Sequence, residues 1–126
     1  MSNYLEGLYV SSQFDNYCTE KGYCQIDSVD ITSRIDKTVF LTNSATNLFK
    51  LHFGEQKSFY VRQKSMRTQI LKDYYNPFTE TEYPSYFVSF GTFTPIEKFQ
   101  ELIDDMIEFH VKIGFDISKM RLRISE

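Results

Sequence analysis

Leu5, Leu8, Tyr9, Phe14, Tyr17 and Cys18 recur at three- and four-residue intervals, the spacing that gathers apolar side chains on one face of a helix. The predicted helix runs from Tyr4 to Lys21. Gly22 then stops it, because glycine adopts the left-handed geometry of a helix C-terminus without a Cβ clash. Thr38-Val-Phe-Leu-Thr42 is a β-branched and apolar run that reads as a buried strand, and Thr46 to Phe53 reads as a short helix closed by Gly54. Ser58 to Lys64 alternates, with Phe59 and Val61 on one face and Tyr60, Arg62 and Lys64 on the other, which predicts a half-buried strand.

From Lys72 to Pro84 the chain collects Asp73, Asn76, Pro77, Glu80, Glu82 and Pro84, residues that favour turns, so a long exposed loop is predicted there. A strand from Ser85 to Phe93 follows. Thr94-Pro95-Ile96-Glu97 reads as a capping box with Thr94 as N-cap and Pro95 in the first helical position. Ile96, Phe99, Ile103, Met106, Ile107 and Val111 continue as a helical stripe up to Gly114. Met120, Leu122 and Ile124 alternate with Arg121, Arg123 and Ser125, predicting a last strand with one buried face. Together these elements predict one α+β domain over residues 1–126, with an antiparallel sheet and helices on one face.

Composition narrows the function classes. Aromatic residues reach 17%, with 9 Tyr and 12 Phe, which suits strands and the core beneath them. A net charge of -3 argues against an extended surface for polyanions and disfavours tRNA binding. Cys18 and Cys24 are too few for a disulfide framework or a four-ligand zinc site. His52 and His110 stand without neighbouring ligands at useful spacing. No apolar run approaches the roughly 20 residues of a membrane span, and the chain is read as soluble and cytoplasmic.

Thr38-Val-Phe-Leu-Thr-Asn-Ser-Ala-Thr-Asn-Leu-Phe-Lys50 resembles the alanyl-tRNA synthetase segment T-L-L-F-T-N-A-G-M-N-Q-F-K, matching at Thr38, Thr42, Asn43, Asn47, Phe49 and Lys50. Phe14 to Gly22 is similar to that family's first helix. Tyr60-Val-Arg62 and Ser65-Met-Arg67 resemble the start of class II motif 2, and Tyr86 to Phe99 is similar to F-F-E-M-L-G-N-F-S-F-G-D-Y-F. Gly114 to Ile124 aligns with G-L-P-K-E-R-L-W-V-T-V. The resemblance implies a truncated class II synthetase-like catalytic domain in which Arg67 occupies the position that holds the α-phosphate of ATP, a task suited to a fixed bidentate cation. Phe87 or Tyr86 would offer an aromatic face to adenine, and Arg62 a further cation.

The departures shape the expected function. A further family arginine falls at Ile70, the glutamate after the paired aromatics falls at Val88, and Leu71 to Tyr83 replaces the family's G-G-K-H-N-D-L-E loop with unrelated residues. Motif 3 is not found in Arg121 and Arg123. Arg67 and Arg62 read either as phosphate ligands or as solvated charges on a strand, and Asn43, Asn47 and Lys50 as ligand contacts or, preferably, as caps of the strand-to-helix turn. Glu80, Glu82, Asp104 and Asp105 are read as a solvated surface. The expected function is a non-catalytic interaction or ligand-binding module, a homodimer or the partner of another protein. No resident cofactor is expected, with ATP or an aminoacyl adenylate as possible ligands. The alternatives are an amino-acid-adenylating enzyme completed by a partner and a protein that binds the tRNA acceptor end.

Overall fold

The computed structural model describes residues 2–67 and 86–123, the side chains of residues 2–6 excepted. The predicted loop of 72–84, with Glu80 and Glu82, lies outside the described residues, as do Ile70, Ile124 and Ser125.

The first helix, α1, spans Ser2–Glu20. Its end is a Schellman motif: Tyr23 N–H donates to the Cys18 carbonyl at 2.9 Å and Gly22 N–H to the Thr19 carbonyl at 3.1 Å. Gly22 sits at φ 85°, where a side chain would be strained. The chain then enters a two-residue strand, β1 (Cys24–Gln25), crosses an irregular stretch, and forms α2 (Thr46–Phe49) followed by a 3-10 turn at Lys50–His52. Two eight-residue strands, β2 (Phe59–Met66) and β3 (Tyr86–Phe93), form the sheet's main ladder, and α3 (Phe99–Lys112) follows. The α3 end repeats the motif of α1, with Phe115 N–H on the His110 carbonyl at 2.9 Å and Gly114 N–H on the Val111 carbonyl at 3.1 Å.

The sheet has the order β1-β2-β3. β2 and β3 are antiparallel from Phe59↔Phe93 to Met66↔Tyr86, whereas β1 runs parallel to β2. The sheet is therefore mixed rather than wholly antiparallel. β1 escaped the sequence pattern because two residues carry no periodicity; Cys24 N–H to Ser58 O at 2.8 Å and Ile26 N–H to Tyr60 O at 2.9 Å hold it in place.

Both faces of the sheet are covered, which corrects the expectation of helices on one face. Tyr60 and Phe90 face α1 and α3, where Phe14, Tyr17, Cys18, Tyr23 and Phe109 complete one core. Val61 and Phe93 face the other way, beneath Ala45, Leu48 and Phe49, with Ile26, Val29 and Ile35 alongside. The alternation of β2 placed Phe59 and Val61 opposite Tyr60 and Arg62 correctly. It did not show that Gln63 and Ser65, in the same row as Val61, are also buried. Gln63 is tolerated there because its amide acts as a strand partner for Val29, accepting the Val29 N–H at 2.9 Å and donating to the Val29 carbonyl at 2.7 Å.

Three local expectations fail for identifiable reasons. Thr38 to Thr42 forms no strand: Asp36 Oδ1 accepts both the Thr38 N–H (3.0 Å) and hydroxyl (2.6 Å), a side-chain turn that diverts the backbone, and Phe40 is 92% exposed. The capping box at Thr94 does not form. Pro95 is extended at ψ 153° and starts a 3-10 turn at Ile96–Lys98, with Lys98 N–H on the Pro95 carbonyl at 3.0 Å, and the α-helix begins only at Phe99. Met120 to Arg123 joins no strand. A 3-10 turn at Ile117–Lys119, capped by Asp116 through the Ser118 N–H, precedes that segment, whose residues lie beside those of α3. No described helix is long and apolar enough to cross a membrane.

Candidate functional site

The structure brings two of the four proposed ATP-site residues together. Phe87 pairs with Ser65 on the ladder, and Arg67 follows the last residue of β2. The Arg67 guanidinium lies 5.0 Å from the Phe87 ring centroid, and its Nε donates to the Asn43 carbonyl at 3.1 Å. Arg67, Phe87 and Asn43 thus meet at one end of the sheet, where Met66 N–H also reaches the Thr42 carbonyl at 3.0 Å.

Arg62 and Tyr86 belong to the opposite face. Arg62 forms a 2.8 Å ion pair with Asp15 of α1, so its charge is offset within the fold. Two buried atoms of that pair, Arg62 Nε and Asp15 Oδ1, have no hydrogen-bond partner among the described residues. Arg62 also lines a polar hollow of about 520 Å³ with Lys64, Gln25, Asp27 and Ser11. The hollow places Lys64 and Arg62 against Asp27 and the Asp15 pair, and its charge is close to balanced. Tyr86 is half-exposed with its ring away from Arg67's side of the ladder.

Asn47 and Lys50 form a clip around Asp36. Asn47 Oδ1 accepts the N–H groups of Asn43 and Ser44 at 3.0 and 3.1 Å, while its Nδ2 donates to Asp36 Oδ2 at 2.9 Å. Lys50 Nζ lies 2.6 Å from the same oxygen. These polar side chains hold the turn into α2. Lys50, then Thr38 and Asn47, hold the Asp36 carboxyl well below the usual carboxylate range. A carboxyl so depressed stabilises the fold above the pH at which the unfolded group titrates, about 4, and that contribution is lost as the pH falls below it. Urea unfolding of the native chain is expected to weaken from about pH 4 downward more steeply than unfolding of Asp36→Asn. Parallel slopes would show that the clip contributes nothing to acid stability.

The remaining titratable side chains among the described residues are tied into the fold or face solvent. Cys18 is buried, and burial, helped by Asp15 and Asp105, pushes its thiol up to about 12. Cys24 is exposed. His52 pairs with Glu55 at 3.1 Å, and the His110 Nδ1–H donates to the Met106 carbonyl at 2.6 Å. Asp105 accepts the Tyr23 hydroxyl at 2.8 Å and lies 3.7 Å from Lys21. Among the described residues no group of three His, Cys, Asp or Glu side chains is arranged to hold a metal.

One concavity is concealed by the sequence pattern. A half-open cleft of about 710 Å³ runs along α3, bounded by Thr92 of β3 and by Ile117 to Arg123. Its α3 wall is Phe99, Leu102, Ile103, Met106 and Ile107, with His110 at one end. Leu102 and Met106 also pack against the core, in a neighbouring stripe that Phe109 and Ile113 continue. Ile96, Phe99 and Val111 are exposed. The helix therefore carries two apolar stripes, more than packing on one sheet requires. The presence of Leu102, Phe109 and Ile113 beside the predicted stripe was the available signal. No family model, curated protein or solved structure matches the chain.

Proposed function

We propose that the chain is a non-catalytic, synthetase-like binding module whose working site is the cleft along α3. The observation that carries this reading is the apolar face of α3 formed by Phe99, Ile103 and Ile107, which lies beside the core stripe and lines a concavity of a size and chemistry common to small-molecule sites. Adenylate chemistry stabilises charge on the α-phosphate with fixed cations, each worth about 2–4 kcal/mol in the transition state. The arginines proposed for that task stand on opposite faces of the sheet, and Arg62 is committed to Asp15. Self-association belongs to the same reading. Among the described residues β3 is paired along one edge only, and its sequence contains neither proline nor a charged residue to discourage a second strand.

Pure chain is expected to show no amino-acid-dependent exchange of pyrophosphate into ATP and to bind anilinonaphthalene sulfonate in its folded state. Ile103→Glu should abolish dye uptake, and light scattering at micromolar concentration should give a dimer that Val88→Lys dissociates. Robust exchange abolished by Arg67→Ala would replace this reading with an adenylating enzyme. Absence of dye uptake by the folded chain would remove the cleft as its site.

A further inference from the structure

The charge around the cleft points to the class of ligand it takes. Among the described residues its ionisable lining is His110, Arg121 and Arg123, with no carboxylate, although the whole chain is net negative at -3. Of the acids of α3, Asp105 is engaged with Tyr23 and Lys21, Glu108 with Lys21 at 3.5 Å, and Asp104 accepts from Gln100 at 3.1 Å. Arg121 and Arg123 are exposed, and among the described residues neither is paired with a carboxylate. An apolar trough with a basic rim complements a molecule with an apolar body and an anionic end. The α3 wall from Phe99 to His110 extends about 17 Å along the helix axis, enough to run beside an extended alkyl chain.

We infer that the cleft binds an unbranched aliphatic carboxylate, its chain lying along Phe99, Ile103, Met106 and Ile107 and its carboxylate held by Arg121 and Arg123. This rests on the binding-module reading above and goes beyond it in naming the ligand. The guanidinium groups supply charge-assisted hydrogen bonds that an alcohol of equal length cannot fully use. Each added methylene buried against the wall strengthens binding until the trough is full.

The full chain is titrated with octanoate, decanoate and dodecanoate, and with the matching alcohols, below micelle-forming concentrations, following displacement of anilinonaphthalene sulfonate and heat of binding. Affinity is expected to rise about fourfold per methylene. Each acid should bind about tenfold more tightly than its alcohol. Arg121→Gln with Arg123→Gln, both on the exposed rim and harmless to the core, should erase the preference for acid and leave the chain-length dependence. Equal binding of acids and alcohols, a flat chain-length series, or an acid preference that survives the double substitution each overturns the proposal. Dye uptake without carboxylate binding overturns it while leaving the binding module standing. A dimer that dissociates in Ile103→Glu, with no carboxylate bound, assigns the cleft to a second copy and overturns it as well.

Discussion

Gly91→Ala is expected to destabilise the fold by about 3 kcal/mol or more, a large share of the roughly 5–15 kcal/mol that holds a small domain together. Gly91 has ordinary backbone geometry, so its need for glycine comes from close approach and not from a positive φ. A Cβ at this position would lie 2.6 Å from the Ala45 Cβ and 2.8 Å from Phe49 Cζ. Phe49 Cζ is the far end of a side chain, but the Ala45 Cβ is fixed to its backbone. The start of α2 must therefore lift. Lifting it stretches the bond from Ala45 N–H to Ser89 Oγ, 3.1 Å in the native fold, and unseats Leu48 and Phe49 from Val61 and Phe93. Against this, replacing a strand glycine by alanine ordinarily gains about 0.5–1 kcal/mol from reduced unfolded-state entropy, too little to reverse the sign. The urea midpoint should fall at constant m-value, and adding Ala45→Gly should recover about half of the loss because it removes the closer of the two clashes. A Gly91→Ala chain as stable as the native one would mean that α2 does not rest on β3.

What the sequence disclosed follows the range of the interactions involved. The ends of α1 and α3 were legible at Gly22 and Gly114 because a Schellman motif depends on residues a few positions apart. β2 and β3 were legible from alternation and length. Thr38 to Thr42 looked like a strand because β-branched and apolar residues suit one, but strand propensity is realised only beside a partner strand, and Asp36 captured Thr38 first. Met120 to Arg123 had the right alternation for the same reason and likewise pairs with nothing among the described residues. The stripe of α3 was seen, but its direction was not, because choosing between two adjacent apolar faces depends on where Phe14 and Tyr17 of α1 meet Phe109. At the proposed ATP site, the closeness of Arg67 to Phe87 is a property of register, Ser65 opposite Phe87, which the order of residues alone does not contain.

Phe14→Ala is expected to cost about 3–5 kcal/mol, the usual range for removing a buried phenylalanine. Phe14 is 2% exposed, and its ring touches three of the elements that must stay together. It stacks on Phe90 of β3 at 5.0 Å and meets Tyr60 of β2 edge-on at 5.7 Å. It meets Phe109 of α3 at 5.6 Å, also edge-on. Such aromatic pairs contribute about 0.5–1.5 kcal/mol each beyond the area they bury, so truncation loses pair geometry as well as transfer energy and leaves a cavity. The effect reaches the cleft, since Phe109 is the buried anchor of α3 and a void beneath it frees the helix to tilt. Folded Phe14→Ala should therefore bind anilinonaphthalene sulfonate with altered affinity, whereas Phe14→Leu, which refills most of the space, should lose about 1–2 kcal/mol and keep native binding. Urea unfolding together with dye titration at low temperature, where the variant remains folded, separates the two effects. A loss below about 1 kcal/mol would show that α1 is not the element that fixes α3 on the sheet.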